Sequence, residues 1–323
     1  MLDASLRNQL AEMICASFKT EEINELGRLL FASYDSHKLS GTSGHISISP
    51  RKCANVLVEQ CEKNRKIPAL IKLAVELDGG IILGRSISVN GLELFLNRLA
   101  RNGYVYNFET RKLVSTRKDI AEMRNWGCLK DGRQYEMTVM SLDLVENSVL
   151  LRRYGTRKME KLYYQLWRYL KQQLSVYDGR IWSWAGDGGI MAFTFKDHVR
   201  RAVRCAISIQ STLSVFNMTV APIISDDVAL RIGLDTGCIK FYADTGRIVS
   251  EIINYAAHLE KKSTEPGRIS VSADVVAELN SKSASVFTRG GRFENREFFT
   301  TYCRLDGLLE GACPPPQVAE QPA

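Results

Sequence analysis

Long apolar runs are missing from this 323-residue chain. None approaches the ~18 residues a membrane span needs, and the opening MLDASLRNQ has no apolar signal segment. A cytoplasmic protein with no membrane partner is expected. Cys-x-x-Cys pairs are missing too. The eight cysteines, Cys15, Cys53, Cys61, Cys128, Cys205, Cys238, Cys303 and Cys313, stand singly, several on apolar helical faces, which argues against zinc and disulfides alike. They read as reduced core residues. There is no block of one-signed charge: 43 Lys and Arg stand against 36 Asp and Glu, a net +7, spread over both halves, so no basic nucleic-acid arm is expected.

What is present is globular in kind. With 45% hydrophobic and 24% charged residues, the chain has the composition and the length for two ordinary domains. Residues 1–102 carry leucine and isoleucine at helical spacing. Helices are expected at about Ser5 to Phe18, Thr20 to Ala32, Pro50 to Asn64, Pro68 to Glu76 and Asn90 to Arg101. Thr20 precedes two first-turn acids, and Ser49-Pro50 puts proline at a first helical position. Ile14, Phe18, Ile23, Leu26, Leu29 and Leu30 would line one interior seam, and Val56, Leu57, Leu70, Ile71 and Leu73 another. The expected product is an all-α bundle. Residues 103–135 read as a linker with a short hairpin, YVYNFETRKLV, and an amphipathic stretch, STRKDIAEMRNW. Helices plus hairpin could instead form a winged-helix DNA binder, but no segment joins a base-reading helix to a dense Lys/Arg cluster. Residues 307–323 form a tail, of which Pro-rich Gly311 to Ala323 is too polar to pack.

The chemistry gathers in the second half. MTVMSLDLVENS reads as a central strand, Met137 to Leu144, breaking into a polar run that can start a helix. IWSWAGDGGIMAF reads as a hairpin: Arg180 to Ala185, a turn over Gly186 to Gly189, then Ile190 to Phe195. Each delivers one carboxylate, Asp143 and Asp187, to a strand end or hairpin tip. Two such acids can hold a hard cation through oxygen, although Gly-Asp-Gly by itself is also an ordinary hairpin turn.

From Glu136 to Leu305 the order of SLDLVENS, the helix Thr156 to Tyr177, WAGDGGIMAF, the helix His198 to Phe216, ALRIGLDTG, IINYAAHLE, EPGRISVS and FFTTYCRL resembles the class III adenylate/guanylate cyclase homology domain. The resemblance implies an α+β, ferredoxin-like domain over residues 136–306, with a twisted, mostly antiparallel sheet and flanking helices. It implies a nucleoside triphosphate substrate, a 3′,5′-cyclic nucleotide and pyrophosphate as products, two Mg2+ or Mn2+ ions, and a homodimer whose site is split between chains. Asp143 and Asp187 match the family's metal carboxylates and the Leu144 carbonyl its backbone ligand. Val145, Glu146, Asn147 and Ser148 match its phosphate-holding turn, and Asn254 its ribose-positioning asparagine.

Four positions depart from the family. Glu146 replaces a glycine, Ser183 a base-reading lysine, Arg247 (or, with a small gap, Asp244) an aspartate or threonine, and His258 the arginine that stabilises phosphoryl charge. Two readings follow: a divergent nucleotidyl cyclase, or an inactive cyclase-fold module that binds nucleotide or dimerises. FKTEEINELGRLLF and CANVLVEQCEKNRKIPALIKLAV resemble the effector-associated domains, helical adaptors of bacterial signalling and conflict proteins. That resemblance implies a protein partner bearing a like domain.

Overall fold

The computed structural model describes residues 2–43 and 46–302. The expected tail, and with it Cys303 and Cys313, lies outside the described residues. Backbone contacts divide the chain at Lys130/Asp131 into two compact units. No helix among the described residues is long and apolar enough to cross a membrane.

The first unit is built on α1 (Ala4–Ser17), α2 (Thr20–Leu30), a short α3 (Ser36–Leu39), α4 (Pro50–Lys63), α5 (Ile67–Leu77) and α6 (Leu92–Arg101). Their starts have local causes. Asp3 accepts from the Leu6 amide at 2.7 Å, and Ser49 Oγ accepts from the Lys52 amide at 3.3 Å with Pro50 at the first helical position. Thr20 does not cap α2. It is the first helical residue, its hydroxyl donates to the Ile48 carbonyl at 3.1 Å, and Glu22 Oε2 instead accepts from the Lys19 amide at 2.7 Å.

Leu10, Ile14, Leu57, Leu70, Ile71 and Phe95 are fully buried and form the interior. Leu29, expected inside, is 60% exposed, because the buried stripe of α2 runs through Glu22, Ile23, Leu26 and Gly27. A charged residue takes an inward position there. Glu22 is held below the ordinary carboxylate range chiefly by its hydrogen bond from Arg85, against the cost of burial, and Arg85 Nε donates to Glu22 Oε1 at 2.6 Å.

The unit is not wholly helical. It carries two hairpins, β1 (Ile81–Ile82) with β2 (Arg85–Ser86) and β3 (Tyr104–Asn107) with β4 (Lys112–Ser115). The amphipathic stretch STRKDIAEMRNW holds one 3-10 turn, Ile120–Glu122. Trp126 is buried completely, and its carbonyl accepts from Asn97 Nδ2 at 2.9 Å.

The second unit is a seven-stranded sheet with helices. In chain order it runs β5 (Gln134–Leu144), α7 (Asn147–Tyr154), α8 (Thr156–Val176), β6 (Arg180–Trp184), β7 (Gly188–Thr194), α9 (His198–Ser211), α10 (Leu213–Val220), β8 (Leu230–Lys240), α11 (Glu251–Ser263), β9 (Arg268–Ser272), α12 (Ala273–Ala277), α13 (Ser281–Ala284), β10 (Thr288–Phe293) and β11 (Arg296–Tyr302). The sheet order is β10-β11-β9-β8-β5-β7-β6. Every pairing is antiparallel except β8 with β9, whose connection carries α11.

Strand alternation sorts the two faces. Met140, Leu142 and Leu144 of β5, with Ile232 and Leu234 of β8, join one core with Leu162, Leu166 and Leu170 of α8 and with Ala202, Ala206 and Ile209 of α9. Val139, Ser141 and Asp143, with Arg231, Gly233, Asp235 and Gly237, alternate onto the other face, where α11 lies. Glycine sets that contact: a Cβ on Gly233 would stand 2.4 Å from the Ala256 carbonyl oxygen and 2.7 Å from the Glu260 amide nitrogen. Only a strand without a side chain there lets the helix backbone come so close.

The helix expected from His198 to Phe216 is two helices. Its hinge residue Thr212 donates back to the Ser208 carbonyl at 2.7 Å and pairs with the Tyr169 hydroxyl at 2.8 Å, a side-chain competition that bends helices. Cys53, Cys61, Cys128 and Cys205 are buried, but Cys238 is exposed and is no core residue.

Candidate active site

Asp143 is the last residue but one of β5, and Asp187 lies in the turn from β6 to β7, 187 − 143 = 44 residues on. Backbone pairing sets them side by side. Asp143 lies opposite Gly188, and the Leu144 amide donates to the Asp187 carbonyl at 3.1 Å. The strand β7 begins at Gly188, so the turn is shorter than the Gly186 to Gly189 expected. Gly188 has its own reason to be glycine: a Cβ would stand 2.4 Å from the Leu142 carbonyl oxygen and 3.1 Å from Asp143 Oδ1.

Each carboxylate takes a hydrogen bond on Oδ2. Asp187 Oδ2 accepts from Asn147 Nδ2 at 2.6 Å, and Asn147 Oδ1 accepts from the Tyr163 hydroxyl at 2.5 Å. Burial raises the Tyr163 phenol, the Asn147 hydrogen bond opposes that, and the Asp187 charge adds to it. Asp143 Oδ2 accepts from Arg231 Nη2 at 2.8 Å. Behind Arg231, its Nε lies 3.2 Å from Glu260 Oε1, an ion-pair distance, yet off the N–H direction, so both buried atoms lack a hydrogen bond. Glu260 is 4% exposed. Burial first and the Asp143 charge second push it up to about 7, with Arg231 opposing.

Oδ1 of each aspartate takes no hydrogen bond from the described residues. With the Leu144 carbonyl they are the oxygen donor type a magnesium- or manganese-sized cation takes, one or two carboxylates being completed by substrate phosphates. Among the described residues no group of three or more His, Cys, Asp or Glu side chains converges as a ready-made cage.

The turn that follows is already engaged. The Val145 amide donates to the Ala229 carbonyl at 2.9 Å. Glu146 is exposed with φ of 53°, the left-handed conformation glycine adopts most readily, so its side chain turns outward from a backbone shaped for a smaller residue. Asn147 is committed to Asp187 and Tyr163, and Ser148 is exposed in the first turn of α7.

Ser183 is exposed on β6. Arg247 is exposed in a 3-10 turn, Thr245–Arg247, its guanidinium 5.0 Å from the Tyr242 ring centre. Asp244, the alternative partner for that position, caps the same turn by accepting from the Gly246 amide at 3.3 Å. The Thr245 hydroxyl donates to the Trp182 carbonyl at 2.6 Å, which brings this turn alongside β6 next to Ser183.

Asn254 and His258 are both exposed on α11, while Tyr255, Ala256, Leu259 and Glu260 are its buried residues. His258 Nδ1 lies 2.8 Å from Glu294 Oε1 in the turn between β10 and β11. Within one chain, then, the residue of α11 that reaches the ion-paired group around Asp143 is Glu260, on the opposite side of the helix from Asn254 and His258. Arg231, Glu260 and Tyr163 were not singled out from sequence. A signal existed for the first two: a lone arginine in the apolar strand ALRIGL, and a carboxylate four residues after Ala256 on the helix that Gly233 admits.

Neither a protein-family model nor a curated protein matches the chain. Among solved structures the chain is similar to cyclase domains. The guanylate cyclase domain of RhGC from Catenaria anguillulae, in complex with GTP, matches at 17% identity over 53% of this chain and 99% of that one, with a TM-score of 0.45. The adenylyl cyclase CyaB from P. aeruginosa matches at 19% identity over 52% and 94%, with a TM-score of 0.45. The adenylate/guanylate cyclase/hydrolase from Silicibacter pomeroyi matches at 24% identity over 53% and 98%, with a TM-score of 0.44.

Proposed function

We propose that residues 136–306 form a divergent class III nucleotidyl cyclase, converting a nucleoside triphosphate to a 3′,5′-cyclic nucleotide and pyrophosphate in a homodimer. The observation that carries this reading is the pairing that sets Asp143 and Asp187 side by side beneath a glycine that leaves Asp143 Oδ1 clear. These carboxylates and the Leu144 carbonyl would hold two Mg2+ or Mn2+ ions. Bound there, the cations would lower the pKa of the ribose 3′-hydroxyl and neutralise triphosphate charge. The chain's own residues do the rest. The Asn147–Tyr163 hydrogen bonds fix the rotamer of Asp187, and Ser148 offers its amide and hydroxyl near the start of α7, where the helix dipole favours anions.

Asn254 and His258, exposed and four residues apart on one side of α11, are available to a second copy, where Asn254 would orient the ribose and His258 donate to the phosphoryl oxygens. The first unit would couple the enzyme to a signalling or defence partner with a like helical domain. A second reading, an inactive nucleotide-binding or dimerising module, is favoured by one observation: His258 is already paired with Glu294. The experiment that tests the proposal is manganese-dependent binding of a fluorescent nucleoside triphosphate. The parent should bind, and Asp143→Asn and Asp187→Asn should not. Equal binding by all three, each with unchanged circular dichroism, would refute the catalytic reading.

A further inference from the structure

Arg231 has two carboxyl groups within reach and a proper hydrogen bond to only one. Its Nη2 is bonded to Asp143 Oδ2 at 2.8 Å, while its buried Nε faces the buried Glu260 Oε1 at 3.2 Å with neither atom hydrogen-bonded. Leaving a buried charged donor and acceptor misaligned is costly, and a small displacement of the guanidinium would align them. We infer that Arg231 is a resident counter-cation for Asp143 which a bound metal cation displaces onto Glu260, so that filling the carboxylate site pins Glu260 of α11 to β8.

The inference rests on the proposed metal role of Asp143. A guanidinium bonded to a carboxylate neutralises it and repels an incoming dication, and the pair is only 22% and 28% exposed, so screening by water is partial. Displacement is cheap only if the guanidinium has another anion waiting, and Glu260 is that anion. Because Glu260 sits on the buried side of the helix that carries Asn254 and His258, a full Arg231–Glu260 pair would tie the position of those residues to occupancy at Asp143. Gly233 makes the transmission short, since it lets the Glu260 backbone lie directly on the strand of Arg231.

The test is titration of Mn2+ alone into the full chain, with free Mn2+ followed by electron paramagnetic resonance, at a pH above the Glu260 value of about 7. Asp143→Asn defines the binding that belongs to this site. Removing the competing cation in Arg231→Met should tighten that binding by roughly three- to tenfold, and Arg231→Lys should bind as the parent does. Glu260→Gln, which takes away the second anion, should weaken it by a similar factor. In the Arg231→Met background the Glu260→Gln effect should shrink to the part carried by the direct coupling of Glu260 to Asp143, because the rest passes through Arg231. An effect of Glu260→Gln that is undiminished without Arg231, or no change in Arg231→Met, overturns the inference while leaving the metal site standing. A parent that shows no Mn2+ binding removable by Asp143→Asn overturns the inference and the metal reading together.

Discussion

His258 Nδ1 and Glu294 Oε1 are 2.8 Å apart, and that contact bridges α11 to the β10–β11 turn from the exposed side of the helix. If the imidazole stands in for a transition-state guanidinium, it does so after giving up a carboxylate, whereas an arginine could hold Glu294 and still present free N–H groups. His258→Arg should therefore raise turnover by about 10²- to 10³-fold, the usual worth of a fixed donor at a transition state. His258→Ala should be slower than the parent. Initial rates under saturating Mn2+ and triphosphate check both, and equal rates for all three would remove His258 from the chemistry.

Buried Glu260 and half-buried His198 give stability opposite dependences on pH. Glu260, pushed up to about 7 from 4.5, keeps its proton in the folded state where the unfolded chain has lost it. Its contribution is fully present below about 4.5 and is lost as pH rises to about 7. Glu260→Gln should remove that loss, gaining about 1–3 kcal/mol relative to the parent on going from acid to pH values above 7, as read by urea unfolding across the range.

His198 runs the other way. Burial first, then the Arg201 charge, lowers it to about 4, against the pull of Asp197, and its Nδ1 lies 2.8 Å from the Thr138 hydroxyl, itself 3.0 Å from Thr236 Oγ1. The unfolded chain binds a proton below 6.5 that the folded one refuses, so this contribution is present above 6.5 and lost as pH falls towards 4. Between about 4.5 and 6.5 the two slopes offset each other. His198→Gln should expose the Glu260 slope and Glu260→Gln the His198 slope, and a parent and variants with parallel stability curves would contradict both assignments.

The strand of Asp143 was legible because Met137 to Leu144 is apolar enough for a central strand, and Met137 to Leu142 are buried on both faces. The hairpin of Asp187 was legible from its glycines. What could not be read was direction. Glu260 lies in a helix whose neighbours Lys261 and Lys262 are exposed, and nothing local says that a carboxylate there turns inward to an arginine 260 − 231 = 29 residues earlier. Leu29 misled for the converse reason: Glu22, salvaged by distant Arg85, occupies the inward stripe and rotates the leucine out. The break at Thr212 depends on Tyr169 and Gln173 of another helix, so no periodicity within the segment reports it.

Gly233 lets helix and sheet backbones meet directly. Gly233→Ala should push α11 off β8 and destabilise the second unit by about 1–3 kcal/mol, the usual cost of overpacking. Thermal unfolding should report that loss, and an unchanged midpoint would mean that the helix gives way without cost.

The proposed synthesis of a cyclic nucleotide is read directly by mass spectrometry of the full protein incubated with Mn2+ and each of the four ribonucleoside triphosphates in turn. Cyclase activity at Asp143 and Asp187 predicts one 3′,5′-cyclic product with equimolar pyrophosphate, abolished in Asp143→Asn and in Asp187→Asn. Absence of cyclic product from all four, in a preparation that binds triphosphate and Mn2+, would contradict it.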